Sequence, residues 1–512
     1  MKNYQLIIPM SGTGNRFKKA GFDILKPLLK INGLTMIEHV RSMYPKNTNV
    51  IFICSEIDLD NKDLGLKRLL KNIDEKSKVV SIKPHKKGPS WAIKEAKGSI
   101  SSSKPTFVNY CDFYNLWDFS KVHAFINKHN PDGLIITYRD EHPHTIWNHS
   151  YAHIQNLRDR VINIQEKMPF TDDPKSEFKS TGTYYFKTGK ILFESIENQI
   201  KGNQSFRKEF YTSLAYLTML KEGLDIRHFE IEHFFQWGTP EDLNDFLWWL
   251  ENYKRRKQKS NFNDVDYSLC LLCAGKGDRF FKRGFKTPKP LINFNGKSLL
   301  ENAASSFQKA SWKGAILSPE MSSDIFKKKL KDFKLLKLNK FSRGQADSAM
   351  KLLKIAPKNI PVVLASSDLQ MSFKISNSIK EEIIKNKRWA IVFLFDSEYP
   401  FAKRKPTSYS WASFEGNKVK DFSFKSKVSN STNQAPLSGT FMFSSVKIAQ
   451  KYIKIVLSKK NNDREPYLDD VLPHLISDKV PVFKIDAETM NCLGTPEEYL
   501  TNFYYNDSLL KF

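Results

Sequence analysis

The sequence predicts an α/β protein made of two homologous domains, each a mostly parallel sheet flanked by helices. Two observations carry that expectation. The chain repeats its own motifs in the same order, 256 to 263 positions apart, and each copy alternates short apolar runs with segments of helical period. Its 512 residues also exceed the usual domain size of about 100–200 residues, and hydrophobic residues at 40% suffice for more than one core.

The repeat is read directly. Near the start stands Ile7-Ile8-Pro9-Met10-Ser11-Gly12-Thr13-Gly14-Asn15-Arg16-Phe17, followed by Lys26-Pro27-Leu28 and Asn32-Gly33. Past the middle stands Cys270-Leu271-Leu272-Cys273-Ala274-Gly275-Lys276-Gly277-Asp278-Arg279-Phe280, followed by Lys289-Pro290-Leu291 and Asn295-Gly296. Gly12 and Gly275, Arg16 and Arg279, Lys26 and Lys289, and Glu38 and Glu301 are each 263 positions apart. Later, Asp112 answers Asp368 at 256, Gly182-Thr183 answers Gly439-Thr440 at 257, and Gly238-Thr239-Pro240-Glu241 answers Gly494-Thr495-Pro496-Glu497 at 256. The expected division is a first domain over residues 1–253, a basic linker over 254–265 and a second domain over 266–512; the run Lys254-Arg255-Arg256-Lys257-Gln258-Lys259-Ser260 has a linker's polarity.

Taken in order, Gln5 to Met10 is a short apolar run without helical period, ending at Ser11-Gly12-Thr13-Gly14, which suits a buried strand feeding a loop. Leu34 to Tyr44 carries a helical pattern, Val50 to Cys54 reads as a strand, and Thr106 to Tyr110 as another that ends at Asp112. Thr239-Pro240 opens a helix over Glu241 to Tyr253. Ligands of such sheets bind beyond the carboxyl ends of the strands, which is where Gly12 to Arg16 and Asp112 fall.

Several classes are set aside. No apolar run approaches the roughly 18 residues needed to span a bilayer, and the N-terminal Leu6-Ile7-Ile8 is too short for a secretory segment. Five cysteines, an odd and low number, suit a cytoplasmic protein without a disulfide framework. Cys270 and Cys273 form a CxxC without partners at zinc spacing, so they read as strand residues. The formal net charge of +26 favours anionic partners, but the cations are scattered and no nucleic-acid motif accompanies them. The expectation is small anionic ligands rather than nucleic acid, with a homo-oligomer left open.

Glycines at positions 12 and 14, after a strand, let backbone N–H groups approach a phosphate chain, and Arg16 and Lys26 offset its charge. The third glycine of the dinucleotide fingerprint is missing, since Phe17 stands there, and Gly296-Lys297-Ser298 lacks the earlier glycine of a Walker loop, where Leu291 stands.

As a whole the pattern resembles the nucleotidyltransferases that join a nucleoside triphosphate to a phosphorylated sugar or similar alcohol phosphate. Gly12-Thr13-Gly14-Asn15-Arg16 with Leu25-Lys26-Pro27-Leu28 matches their signature except for Leu25 in place of proline; Gly275-Lys276-Gly277-Asp278-Arg279 with Pro288-Lys289-Pro290-Leu291 matches in full. The resemblance covers nearly all of both halves. It implies a Rossmann-like, GT-A-like sheet in each, with Arg16, Lys26, Arg279 and Lys289 as catalytic cations. Met10, Ser11, Gly12, Thr13, Gly14, Gly88, Pro89 and Ser90 would bind the nucleotide in the first half, and Cys273, Ala274, Gly275, Lys276, Gly277, Gly344 and Gln345 in the second. Asp112 and Asp368 would hold Mg²⁺, whose hard-oxygen preference suits a carboxylate beside substrate phosphates. Glu166, Lys167, Gly182 and Gly439 would face the acceptor. Glu209-Phe210-Tyr211 and Gln236-Trp237-Gly238-Thr239-Pro240 are similar to segments of capsule-pathway cytidylyltransferases, which implies CTP as donor and a role in cell-surface polysaccharide synthesis.

The sequence also departs from the family. Many members carry a second metal-binding aspartate where this chain has Gln236 and Cys492. Glu230 and Glu232, answered by Asp486 and Glu488, are candidate substitutes. The second half lacks a Glu-Lys pair, leaving Lys425 or Lys427 to supply a cation. The histidine-rich segment Glu141 to His153, with Trp147, is expected to line the acceptor pocket; the second half has Lys403-Arg404-Lys405-Pro406 and Trp411 instead. Two other functions fit the fold class: a nucleotide-sugar-dependent glycosyltransferase, although no Asp-x-Asp motif follows Cys111 or Ser367, and one catalytic domain joined to a non-catalytic nucleotide-binding regulatory domain.

Overall fold

The computed structural model describes residues 3–139, 143, 151–258, 260, 265–425, 433–459 and 464–512. Residues 141, 142 and 144–150 of the histidine-rich segment, Trp147 among them, lie outside the described residues, as do Lys427, Lys259 and residues 261–264 of the linker. The chain divides into two compact units, Met1–Leu247 with Leu510–Phe512, and Trp248–Leu509. The division falls inside the helix Pro240–Arg255.

In the first unit the run Gln5–Pro9 is a central strand, hydrogen-bonded in parallel to Asn49–Ser55 on one side and Thr106–Asn109 on the other. Leu6 and Ile8 pack into one core cluster and Ile7 into another. A strand whose alternate side chains are both buried needs apolar residues throughout, which explains the unbroken run in the sequence. The nine-stranded sheet continues through Phe178–Phe186, which enters antiparallel, to Gly133–Tyr138, Ile226–Glu230, Arg160–Glu166 and Ala152–Leu157. Because Gln5–Pro9 and Thr106–Asn109 are parallel neighbours, the glycine loop and Asp112 leave the sheet at the same edge.

The second unit repeats this order. Ser268–Cys273 lies between Trp312–Leu317 and Val362–Ser366, both parallel to it, and Gln434–Phe443 enters antiparallel beyond. The repeat of Glu38 and Glu301 has a local cause. Thr35 and Glu38 form a reciprocal capping box at the start of the helix Met36–Ser42, and Ser298 and Glu301 do the same for Leu299–Ser305. Cys270 and Cys273 are buried, free strand residues. Among the described residues no helix is long and apolar enough to cross a membrane.

Candidate active site

The glycine loop runs from buried Met10 and Ser11 through exposed Gly12 and Thr13 to Gly14. Gly14 takes φ +61° and starts the short helix Asn15–Lys19; Gly277 takes φ +74° before Asp278–Lys282. A left-handed residue there turns the chain sharply out of the loop, which explains these two glycines. Gly12 and Gly275 are different. A Cβ at either would meet nothing within 4 Å, so the fold itself makes no demand for glycine there.

Lys26 heads a one-turn helix whose Pro27 presets the backbone. Its ammonium donates to the Asp112 carboxylate and, at 3.3 Å, to the carbonyl of Gly238. The second unit reproduces the arrangement. Lys289 Nζ lies 2.5 Å from Asp368 Oδ2 and 2.7 Å from the Gly494 carbonyl. In both, the backbone ties the aspartate to the adjoining Gly-Thr-Pro segment: the Trp237 amide donates to the Asp112 carbonyl at 2.9 Å, and the Leu493 amide to that of Asp368 at 2.8 Å. Burial works against the Lys26 ammonium, but Asp112 beside it more than offsets this and raises its pKa above the ordinary lysine value. Burial likewise opposes the Asp368 carboxylate, and Lys289 holds its pKa below the usual range.

A cavity of about 460 Å³ opens between the loop, Lys26, Asp112, Gly88 and Pro89. Gly88 takes φ +86°, and a Cβ there would stand 2.8 Å from the Phe210 amide nitrogen. The Ser90 amide donates to the Phe210 carbonyl at 3.0 Å, which fixes this turn against Glu209-Phe210-Tyr211. In the second unit a Cβ at Gly344 would meet Pro466 at 2.9 Å, and the Ala346 amide donates to the Pro466 carbonyl at 3.0 Å. Glu465-Pro466-Tyr467 is therefore the counterpart of Glu209-Phe210-Tyr211, a match the sequence reading missed. The offset of 256 already found at Asp112 and Asp368 leads straight to it. Gln345 accepts from the Leu468 amide at 3.4 Å.

A smaller cavity shares Tyr110, Asp112 and Tyr211 with the first and is lined further by Glu166, Lys167 and Gly182. Lys167 Nζ donates to the Tyr211 hydroxyl at 2.8 Å, and that hydroxyl donates to Glu209 at 2.7 Å. Ser213 donates to Glu166 at 2.5 Å. Burial pushes the Glu166 carboxyl up to about 7, against the pull of Ser213 and Lys167. Burial also lowers the Lys167 ammonium, with Glu166 and Glu209 opposing. Gly182 takes φ +97°, and a Cβ there would stand 2.7 Å from the Phe113 ring. Gly439 takes φ +74°, and a Cβ there would stand 4.0 Å from the Gln345 side-chain amide. Arg16 is exposed, and its charge is felt at both Lys26 and Lys167. Arg279 and Lys276 are exposed on the second loop beside buried Cys273 and Ala274.

For a metal, the donor set differs between the units. Among the described residues no three His, Cys, Asp or Glu side chains converge. Glu230 pairs with Arg139 at 2.8 Å, Glu488 with Lys374 at 3.0 Å and Asp486 with Lys484, so these carboxylates have other partners. A Cβ at Gly238 would stand 3.1 Å from the Gln236 amide nitrogen and 3.3 Å from an Asp112 carboxylate oxygen, so oxygen and nitrogen groups border this place. One carboxylate is what Mg²⁺ needs when phosphates supply the rest. Beside Asp368 stands the Cys492 thiol, whose pKa burial raises well above the ordinary value. A protonated thiol is a poor ligand for a hard cation, which leaves the carboxylates of Asp368 and Glu498, both within 4 Å of where a Gly494 Cβ would stand, as the oxygen groups there.

The sequence pattern of the nucleotidyl transferase family matches residues 6–225 and 269–506. Among similar solved structures is a nucleoside-diphosphate-sugar pyrophosphorylase from Vibrio cholerae, 21% identical over 47% of this chain and 99% of that one, with a TM-score of 0.40. An inositol-1-phosphate CTP transferase from T. maritima is 15% identical over 47% and 92%, at 0.38. HddC from Yersinia pseudotuberculosis is 22% identical over 47% and 96%, at 0.34. No curated protein sequence matches the chain. Since the family pattern fits twice and takes in most of both halves, the chain belongs to the nucleotidyl transferase family and carries its domain in tandem.

Proposed function

We propose that the chain transfers a nucleotidyl group from CTP to a sugar 1-phosphate or other small phosphorylated acceptor, with Mg²⁺, to supply cell-surface polysaccharide synthesis. The observation that supports it most is the lysine–aspartate pair at the carboxyl edge of the sheet, present in both units beside a glycine loop. An oxygen of the acceptor phosphate attacks the α-phosphorus; the new P–O bond forms as the bond to the β-phosphate bridge breaks, and pyrophosphate leaves. Such a reaction asks the protein for positioning and charge neutralisation rather than covalent chemistry. Gly12 to Gly14 cradle the phosphates, and Arg16 and Lys26 offset the charge that builds on the leaving group. Gly88, Pro89 and Ser90 flank the nucleoside. Glu166 accepts from an acceptor hydroxyl and Lys167 binds its phosphate. In the second unit Arg279, Lys289, Gly275 to Gly277, Gly344 and Gln345 take the corresponding roles. Asp112 and Asp368 are the residues that would hold Mg²⁺, which supplies a further positive charge at the phosphates when bound.

CTP as donor rests on the similarity of Gln236-Trp237-Gly238-Thr239-Pro240 to capsule-pathway cytidylyltransferases. The test is pyrophosphate release from CTP, UTP, GTP and ATP with Mg²⁺ and a panel of sugar 1-phosphates. Fastest release from CTP is the expected result. Faster release from another triphosphate would overturn the donor assignment, and turnover of nucleotide sugars with none of triphosphates would overturn the transferase reading.

A further inference from the structure

The second unit has lost the glutamate of the Glu166-Lys167 pair but not its setting. Strand pairing fixes the correspondence. His153 opposes Gln165 and Ile154 opposes Ile164 in the first unit, while Trp411 opposes Ser423 and Ala412 opposes Phe422 in the second. One step further along, Phe424 occupies the position of Glu166 and Lys425 that of Lys167. Both lysines adopt a left-handed backbone, φ +59° and +41°. Lys167 stands 4.4 Å from the centre of the Tyr211 ring, and Lys425 stands 4.8 Å from that of Tyr467.

The missing carboxylate returns from the opposite wall. Two pairs of backbone hydrogen bonds set the helix correspondence at 256: Ser90 to Phe210 with Ala346 to Pro466, and Leu224 to Met219 with Val480 to Leu475. That offset places Asp469 where Ser213 stands, and Ser213 is the residue that holds Glu166 in the first unit. Asp469 has Ser410, Asp470, Lys425 and Arg464 as electrostatic neighbours. Ser410 corresponds to Ala152, which lines the first unit's acceptor cavity. Strand and helix thus differ in which one carries the carboxylate: Glu166 on the strand, held by Ser213, in one unit, and Asp469 at the serine's position on the helix in the other. Arg464 lies 3.8 Å over the Phe424 ring and pairs with Asp470 at 2.6 Å.

We propose that Asp469 is the acceptor-facing carboxylate of the second unit, acting with Lys425 on a phosphorylated polyhydroxy compound distinct from the first unit's acceptor. The proposal rests on reading Glu166 and Lys167 as acceptor-binding residues. A carboxylate suits sugar or polyol hydroxyls, and an ammonium held over a tyrosine suits the phosphate. Burial, with Asp470 adding to it, pushes the Asp469 carboxyl up to about 6 against the pull of Ser410, Lys425 and Arg464, and burial likewise raises Glu166. The two groups thus share an electrostatic setting as well as a place.

The test uses the full chain carrying Lys167→Ala, which disables the first acceptor site, in the presence of Mg²⁺ and the stabilising nucleotide. Glucose 1-phosphate, ribose 5-phosphate and glycerol 3-phosphate are titrated in by calorimetry. At least one is expected to bind, with affinity falling about tenfold or more when Asp469→Asn or Lys425→Ala is added. Lys425 is exposed, so its variant guards against a folding defect in the other. No probe binding, or binding indifferent to both substitutions, overturns the proposal while nucleotide stabilisation persists. Loss of nucleotide stabilisation in the parent chain overturns the underlying transferase reading instead.

Discussion

The Lys26 ammonium touches the Asp112 carboxylate and a backbone carbonyl of the neighbouring segment, and the proposed function assigns it to the triphosphate's charge. Lys26→Ala is expected to cut the rate of pyrophosphate release by about 10²–10³-fold, the usual loss on removing one charge-stabilising donor, while the far-ultraviolet dichroism stays native. Near-normal turnover in that variant would contradict the assignment. Glu166 makes a second, independent prediction. Burial pushes its folded carboxyl up to about 7 from the ordinary 4.5. The folded state therefore holds its proton where the unfolded chain has released it, and stability falls as pH rises through that window. Glu166→Gln removes this penalty. From pH about 4.5 to above 7, the unfolding free energy of the variant should gain on wild type by on the order of 3 kcal/mol, measured in denaturant. A difference that does not change with pH would contradict a buried, raised carboxyl.

Among the elements, two glycine turns that look alike in the sequence are held for different reasons. Gly88 combines a positive φ with the Phe210 backbone 2.8 Å from any Cβ, so Gly88→Ala should cost roughly 2–4 kcal/mol of stability in thermal or denaturant unfolding. Gly12 faces open space. Gly12→Ala should leave stability within about 1 kcal/mol yet weaken nucleotide stabilisation, because the added methyl stands where phosphate is expected. A destabilised Gly12→Ala variant would show that the fold rather than the ligand requires that glycine. The strand-loop-helix step was legible because each part has a local signal: an apolar run, two glycines, then a basic turn. The Lys26–Asp112 contact was not, since it joins residues 86 positions apart through the order of strands in a sheet. The equivalence of Phe424 with Glu166 and of Asp469 with Ser213 was hidden for the same reason. A carboxylate that moves from a strand to a facing helix preserves a place in space while erasing the motif.

In the molecule as a whole, duplication separates what the chemistry shares from what each unit selects. The glycine loop, the lysine, the strand-end aspartate and the turn at Gly88 or Gly344 recur in both. Gln236 against Cys492, Glu166 against Phe424 and Ser213 against Asp469 differ, all around the proposed metal or acceptor side. Shared residues on the proposed donor side with differing ones on the proposed acceptor side fit the proposal of two units with different acceptors. The most direct test is thermal stabilisation by CTP, UTP, GTP and ATP with Mg²⁺, in wild type, Asp112→Ala, Asp368→Ala and the double variant. Binding needs no knowledge of the acceptor, and a nucleotide at 100 times its dissociation constant adds about 2.7 kcal/mol. The largest shift is expected with CTP, a smaller one in each single variant and none in the double. No shift with any triphosphate, or a full shift surviving in the double variant, would contradict the proposal.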